Sequence, residues 1–118
     1  MAGVQARDFD SPDETRASEK RRVDAVRMGA TTATRFTLEP GWKWSEDVGP
    51  AIGSDSCELR HIGVVQSGRL RVAHKDGTEV ELAAGDPYVI QPGHDAWVIG
   101  DEPCVVIDWQ GFADYAKR

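Results

Sequence analysis

The sequence has few cysteines and no long apolar segment. Cys57 and Cys104 are the only two among 118 residues and form no Cys-x-x-Cys pair, so a disulfide framework is not expected. No apolar run approaches the roughly 20 residues that cross a bilayer, and the N-terminal residues lack the apolar core of a signal peptide. These absences predict a cytoplasmic protein with two reduced thiols and no membrane partner.

Basic residues are also scarce. The chain carries 14 Lys and Arg against 20 Asp and Glu, which gives a net charge of −6. Residues 1–22 hold five of each sign, so the whole excess of negative charge lies beyond residue 22. Because phosphate binding relies on clustered Lys and Arg, this balance argues against nucleic acid as a partner.

Several catalytic signatures are missing. The sequence has no Gly-x-Ser-x-Gly elbow, no phosphate-binding loop and no His-Glu-x-x-His helix. The stretch GPAIGSD contains two glycines, but no helix is predicted after it, so it makes a poor phosphate cradle. The chemistry that these motifs support is therefore not expected here.

The chain does contain many short apolar or alternating runs separated by Gly, Pro and Asp turn signals. About nine strands of 3–7 residues are predicted, at VDAVRM, TATRFTL, WKW, LRHIGVV, RLRVAH, EVEL, PYVI, AWVI and VVIDW. Such spacing predicts an all-β sandwich or barrel, and Asp76-Gly77 is the strongest hairpin signal. Residues 1–22 are polar and aperiodic, which predicts a flexible N-terminal arm before a barrel domain at 23–118.

Two predicted strands carry a histidine on a face that is otherwise apolar or glycine. Alternation groups His61 with Gly63 and Val65, and it groups His94 with Ala96 and Val98. Imidazole titrates near neutrality and also ligates transition metals, so the two histidines are candidates for a shared site. The alternative is that both histidines lie inside a barrel with their ring nitrogens hydrogen-bonded and bind no ligand.

Three stretches, HIGVVQSGRLRV, KDGTEVELAAGDPYVIQPGHDAWV and GDEPCVVIDW, together resemble the small single-domain cupins. The resemblance covers roughly residues 34–109. It implies a double-stranded β-helix, which is a cupin-type jelly-roll barrel, here with a polar N-terminal arm. The segments VDAVRM and TATRFTL near the arm are β-rich, and an open jelly roll leaves edge strands that need cover. A two-fold homodimer is therefore expected in which these N-terminal strands pair across subunits, as the resemblance to the small cupins also implies.

The metal-binding motifs of the cupins are only partly matched. With Gly68 as the glycine of the first motif, His61 takes the place of the metal-binding glutamate. The His-x-His positions then fall on Ser54 and Ser56 or on Asp55 and Cys57, and a second alignment puts them on Trp44 and Glu46. In the second motif Gly85, Pro92 and Gly93 match, Ala96 replaces the liganding histidine, and His94 lies two residues earlier.

These positions define two sets of candidate site residues. The ligand cavity is predicted to include His61, His94, Trp44, Gly63, Ala96 and Val98. The candidate metal ligands are His61, His94, Cys57, Asp55 and Glu46. They suit a divalent transition metal, and the sequence does not distinguish among zinc, iron, manganese and nickel. Trp42 and Trp44 share a face, so they either wall this cavity or close the barrel.

Two functions follow from the resemblance. The first is a binding module that holds a small organic molecule, with or without a metal ion, as a sensor, carrier or accessory protein. The second is a metal-dependent oxygenase, isomerase or lyase that acts on a small metabolite. Both are compatible with the fold, because this architecture hosts many unrelated activities.

Overall fold

The computed structural model describes residues 3–109, which form nine strands and two short helices. The strands are β1 (Glu14–Ser18), β2 (Arg21–Met28), β3 (Thr31–Leu38), β4 (His61–Ser67), β5 (Arg69–His74), β6 (Glu79–Ala83), β7 (Pro87–Ile90), β8 (His94–Val98) and β9 (Cys104–Asp108). The helices are α1 (Trp44–Asp47) and α2 (Gly49–Ile52). Within the described residues, neither helix has the length and apolarity that a membrane span requires.

The strands form two antiparallel sheets. One has six strands in the order β1-β2-β3-β9-β4-β7, and the other has three in the order β6-β5-β8. Non-consecutive neighbours such as β3 and β9 are joined by long connections, as a jelly roll requires. The all-β prediction is therefore confirmed.

The hairpin signal at Asp76-Gly77 is confirmed in detail. These residues lie in the loop between β5 and β6, which pair antiparallel. Gly77 has a φ of 96°, a backbone angle that side chains disfavour. The Asp76 carboxylate accepts a hydrogen bond from the Thr78 N–H at 2.8 Å and so closes the turn.

The core lies between the two sheets and follows the predicted alternation. In β8, in β9 and over residues 61–65 of β4, every second residue from the first is buried. The buried cluster comprises Val23, Ala25, Phe36, Leu38, Trp42, Trp44, Val48, Cys57, Val65, Leu70, Val72, Leu82, Tyr88, Ala96, Val98, Cys104 and Val106. This alternation directs the first residue of β4 and the first residue of β8, both histidines, toward the interior.

The predicted strand WKW is wrong. Lys43 makes only an isolated bridge to Trp97, and the chain turns into α1 at Trp44. The Asp47 carboxylate accepts a hydrogen bond from the Lys43 N–H at 2.8 Å, and the Asp47 N–H donates to the Lys43 carbonyl. These local hydrogen bonds use backbone groups that would otherwise pair with a neighbouring strand.

A strand that was not predicted, β1, lies inside the segment assigned to the arm. It pairs with β2 through polar residues, and the Thr15 hydroxyl donates to buried Asp24 at 2.9 Å. The domain boundary at residue 23 therefore falls within β2. Residues 1–2 and 110–118 lie outside the described residues, so the flexibility of the arm and the extent of the domain to residue 118 stay predictions.

Candidate functional site

Three buried side chains from different parts of the chain converge inside the barrel. The Cys57 sulfur and one ring nitrogen each from His61 and His94 all lie within 4.8 Å of one another. The centroids of the two imidazole rings are 5.4 Å apart. Within residues 3–109 this is the one group of three or more Cys, His, Asp or Glu side chains with metal-site spacing.

The backbone around Gly93 holds two of these residues together. Gly93 has a φ of 99°, so the chain reverses there and β8 begins with an inward residue, His94. Cys57 pairs with His94 as an isolated antiparallel bridge, in which the Cys57 N–H donates to the His94 carbonyl at 2.7 Å. The Gly93 N–H donates to the Cys57 carbonyl, also at 2.7 Å. The cysteine loop is thus fixed to the start of β8.

Both imidazoles are oriented by acceptors outside the cluster. Nδ1 of His61 lies 2.9 Å from a carboxylate oxygen of Asp108, and Nδ1 of His94 lies 2.8 Å from the Gln91 carbonyl oxygen. An ionised carboxylate and a carbonyl only accept hydrogen bonds, so each Nδ1 carries a hydrogen. The Nε2 atoms are therefore the ones available to the cluster, which is the arrangement typical of metal-ligating histidines.

Asp108 accepts a second hydrogen bond, and a glycine leaves the space that this hydrogen bond requires. Gly63 in β4 is paired with Tyr88 of β7 on one side and with Asp108 of β9 on the other. A Cβ at Gly63 would lie 2.7 Å from the Tyr88 hydroxyl oxygen, so the missing side chain leaves room for that hydroxyl. The Tyr88 hydroxyl donates to Asp108 at 3.3 Å. Burial and the Asp108 charge raise the pKa of Tyr88, which keeps this donor protonated.

The electrostatics of the cluster favour a charged thiol–imidazole pair. Burial disfavours the Cys57 thiolate, but hydrogen bonds from His61 and His94 outweigh it and lower the pKa of Cys57 to about 6. Burial likewise disfavours charged His61, yet Asp108 and Cys57 raise the pKa of His61 to about 9. Between these values the pair is a thiolate beside an imidazolium, with Sγ and Nε2 3.6 Å apart.

The donor set fits a divalent transition metal. Thiolate and imidazole are ligands that zinc and its neighbours in the first transition series accept, whereas manganese prefers oxygen ligands. Zinc bonds of about 2.3 Å to sulfur and 2.0–2.1 Å to nitrogen, at a tetrahedral angle, put the two atoms roughly 3.6 Å apart. This matches the spacing between Cys57 and His61. Three protein ligands would leave a fourth position open.

Two of the predicted metal ligands lie elsewhere. The Asp55 side chain is 94% exposed, and its nearest charged neighbour is the Lys75 amine at 3.9 Å. Glu46 is exposed on α1. The structure brings neither residue into the Cys57–His61–His94 cluster, because residues 46 and 55 lie outside strands, where alternation does not determine which way a side chain faces.

A cavity of about 50 Å³ adjoins the cluster. Its lining residues are Phe36, Leu38, Trp42, Trp44, Cys57, His61, Leu70, Tyr88, Ile90, His94, Ala96, Val106 and Asp108. Of the six predicted cavity residues, His61, His94, Trp44 and Ala96 line it. Val98 is buried in the core beyond it, and Gly63 acts by leaving room for Tyr88.

Asp108, Tyr88 and Gln91 were not singled out from the sequence. Asp108 carried the clearest signal, since it follows Cys104 and Val106 at alternate positions of β9 and is a carboxylate on an apolar face. Gln91 contributes only a backbone carbonyl, which no side-chain pattern reveals.

No protein-family model and no curated protein matches the chain. Solved structures do. A protein of unknown function from Rhizobium leguminosarum is 15% identical with a TM-score of 0.66, and the match covers 92% of this chain and 97% of that one. An uncharacterized protein with a double-stranded β-helix domain from Klebsiella pneumoniae is 18% identical with a TM-score of 0.62, over 95% and 93% of the two chains.

A larger enzyme shares the architecture. The oxalate decarboxylase of Lactobacillus farciminis, in a formate complex, is 15% identical with a TM-score of 0.60. The match covers 92% of this chain but only 34% of the decarboxylase, so the chain spans about a third of that enzyme. At such identities the likeness concerns the fold alone. The chain therefore has a small cupin-type double-stranded β-helix fold, and its interior carries a Cys57–His61–His94 cluster able to hold a metal ion.

Proposed function

We propose that this protein is a binding module that holds one divalent transition metal ion at Cys57, His61 and His94 and a small organic molecule in the adjoining cavity. Such a module would act as a sensor, carrier or accessory protein. One observation carries the proposal: three ligand atoms converge in the barrel interior while both histidines have their Nδ1 atoms fixed by outside acceptors. A bound metal would supply a Lewis-acid position for a donor atom of the organic molecule.

The surroundings of the cluster support a ligand that is small and mainly apolar. The cavity wall is formed largely by aliphatic and aromatic side chains. Its volume of about 50 Å³ is far below the roughly 300–1,000 Å³ of sites for drug-sized molecules. A molecule of a few non-hydrogen atoms matches this space.

Elemental analysis of protein purified without a metal-affinity step tests the metal. We expect about one equivalent of zinc, iron or nickel per chain, and a chelator followed by zinc addition should restore the same stoichiometry. Cys57→Ser, His61→Ala and His94→Ala should each abolish stoichiometric binding. Cys104→Ser is the matched control, because Cys104 is a buried core cysteine that does not line the cavity.

The variants must be folded for this comparison, so each one should first show the circular dichroism spectrum of the wild type. Wild-type protein that contains no metal and takes up no zinc after chelation would refute the metal-binding part of the proposal.

A second candidate function, thiol-dependent catalysis, is favoured by the chain of contacts Cys57–His61–Asp108. A thiol beside an imidazole that is in turn oriented by a carboxylate is the arrangement of an activated nucleophile. The two candidates compete, since a metal ion would occupy both the sulfur and Nε2.

Metal-free protein distinguishes them. If the purified protein carries no metal, thiol catalysis requires iodoacetamide to alkylate Cys57 much faster than Cys104. The pKa of Cys104 is raised to about 11 by burial, so it serves as the unreactive internal reference. Mass spectrometry of the digested protein measures both rates.

A further inference from the structure

The third histidine of the chain, His74, has both ring nitrogens engaged outside the cluster. The Asp76 N–H donates to Nδ1 at 2.9 Å, so Nδ1 of the neutral ring carries no hydrogen. The hydrogen of the neutral ring is then on Nε2, which lies 2.7 Å from the Pro92 carbonyl oxygen and donates to it. His74 therefore carries its hydrogen on the other nitrogen from His94, whose Nδ1 donates.

The Pro92 carbonyl belongs to the same peptide group as the Gly93 N–H. That N–H donates to the Cys57 carbonyl at 2.7 Å. Because the peptide bond is trans, its C=O and N–H point in opposite directions. The peptide group is thus held from two sides, by the His74 side chain and by the Cys57 backbone. It connects a histidine outside the cluster with a cysteine inside it.

The next peptide group bridges the same two parts of the chain. The Gly93 carbonyl accepts a hydrogen bond from the Lys75 N–H at 3.0 Å, and the His94 N–H donates to the Cys57 carbonyl at 3.2 Å. The end of β5 therefore supports the turn from which His94 begins β8. Of the hydrogen bonds that hold these two peptide groups, only the one from His74 comes from a side chain, so a substitution can remove it.

The turn depends on this support because its central residue is a glycine. Gly93 has a φ of 99° and no side chain, so the peptide groups on either side of it can rotate with little steric resistance. A Cβ at Gly93 would lie 3.4 Å from Nε2 of His74, which shows that the imidazole also packs against the turn. Hydrogen bonds, rather than side-chain sterics, therefore determine how the two peptide groups lie.

We propose that His74 is a positioning residue for the metal site. Its Nε2–H holds the Pro92–Gly93 peptide group and thereby sets the spacing between the ligand atoms of Cys57 and His94, without contact to the metal. This inference rests on the proposed function, because it requires that those atoms bind one ion. Outer hydrogen-bond partners typically change metal affinity by roughly 10–100-fold. His74 acts through the backbone, so we expect an effect of about tenfold.

Two conservative variants separate the two hydrogen bonds of His74. His74→Gln brings an amide N–H to the place of Nε2 and keeps a donor for the Pro92 carbonyl. His74→Asn brings an amide oxygen to the place of Nδ1, so it keeps the acceptor for Asp76 but loses that donor. We expect zinc affinity, measured by competition with a chromophoric chelator, to fall about tenfold in His74→Asn and less than about threefold in His74→Gln.

A purely structural role predicts a different order. If His74 acted only by closing the β5–β6 hairpin, His74→Asn would bind zinc like the wild type, because asparagine still accepts from the N–H two residues later. Equal zinc affinities of His74→Asn and the wild type would therefore overturn the inference. A tenfold loss in both variants would also overturn it, because His74→Gln retains the donor to Pro92.

The imidazole ¹⁵N chemical shifts of the metal-free protein test the same contact without a variant. In mildly alkaline buffer we expect His74 as the neutral ring with its hydrogen on Nε2. A hydrogen on Nδ1 alone would overturn the inference even if a variant fails to fold, because Nε2 would then have no hydrogen to donate to Pro92. Zinc binding that His74→Asn does not weaken refutes only this inference, whereas wild-type protein that takes up no zinc refutes the proposed function as well.

Discussion

Nδ1 of His61 lies 2.9 Å from a carboxylate oxygen of Asp108, although the two residues are 47 positions apart in the sequence. His61 begins β4 and Asp108 ends β9, and the two strands are neighbours in the six-stranded sheet. Asp108 is paired directly with Gly63, so its side chain reaches along the glycine to the histidine. The pairing of β4 with β9 therefore affects the cluster, because this contact fixes the ring orientation of one candidate ligand.

Replacement of Asp108 tests this relationship. We expect Asp108→Ala to weaken zinc binding by roughly 10–100-fold, the usual effect of removing the outer partner of a liganding histidine. Asp108→Asn should have a smaller effect, since its amide oxygen can still accept from Nδ1. Competition with a chromophoric chelator measures both affinities. Glu102→Gln, at an exposed carboxylate, is the control, and an unchanged affinity in Asp108→Ala would contradict the assigned role.

Proton release on zinc binding follows from the two shifted pKa values. Around pH 7.5 the Cys57 thiol, with a pKa of about 6, is already ionised, and His61, with a pKa of about 9, is still protonated. A metal ion needs the thiolate and neutral imidazole, so His61 must release about one proton. Below pH 6 Cys57 also loses its proton on binding, and zinc affinity should fall more steeply with decreasing pH.

Calorimetry in buffers with different ionisation enthalpies counts these protons. The release should be about one near pH 7.5, should increase below pH 6 where Cys57 also contributes a proton, and should decline above pH 9. A release of zero near pH 7.5 in the wild type would exclude the thiolate–imidazolium pair.

A methyl group at Gly63 should disturb both the sheet and the cluster. Its Cβ would lie 2.7 Å from the Tyr88 hydroxyl and would also clash with the Ile107 carbonyl oxygen. We expect Gly63→Ala to lower the free energy of unfolding by about 1–3 kcal/mol, the usual cost of overpacking. Denaturant unfolding measures this change.

Two further variants separate the effect of the added methyl group from the effect of losing the Tyr88 hydrogen bond. Gly3→Ala should be neutral, because nothing lies within 4 Å of that position. Tyr88→Phe removes the hydroxyl without adding volume. It should weaken zinc binding but lower the free energy of unfolding less than Gly63→Ala does. If Gly63→Ala is as stable as the wild type, the close approach of Tyr88 does not constrain the fold.

The sequence predicted the parts of the site that lie on regular strands. Alternation placed His61 and His94 on inward faces, because each begins a strand whose next inward residues are small or apolar. Cys57 and Asp55 were equal candidates because they lie in a loop, and only the bridge between Cys57 and His94 distinguishes them.

The role of Asp108 depends on long-range pairing, which a single sequence does not reveal. β9 could have paired with several strands, and only its position beside β4 brings the carboxylate to His61. Strand β1 was missed for a different reason. Its pairing with β2 uses ionic and hydroxyl contacts such as Thr15–Asp24, and a pattern of apolar residues does not reveal such contacts.

The edges of the larger sheet bear on the predicted homodimer. Strand β1 occupies one edge and β7 the other, whereas β2 and β3, which contain the segments expected to pair across subunits, each have a neighbour on both sides. An edge strand offers unpaired backbone groups that a second copy can pair with across a two-fold axis. We therefore expect light scattering to return about twice the chain mass of 12.9 kDa. Thr15→Pro, which removes a backbone donor from β1, should shift the protein toward the monomer.

The matched control for this variant lies on the other sheet, where β6 also occupies an edge. Val80→Pro should leave the dimer intact if β1 alone forms the interface. Both variants need an unchanged β-sheet spectrum before their masses are compared, because proline can unfold an edge strand as well as block its pairing. A monomeric wild type at micromolar concentration would refute the dimer. A dimer that survives Thr15→Pro but dissociates in Val80→Pro would move the interface to the three-stranded sheet.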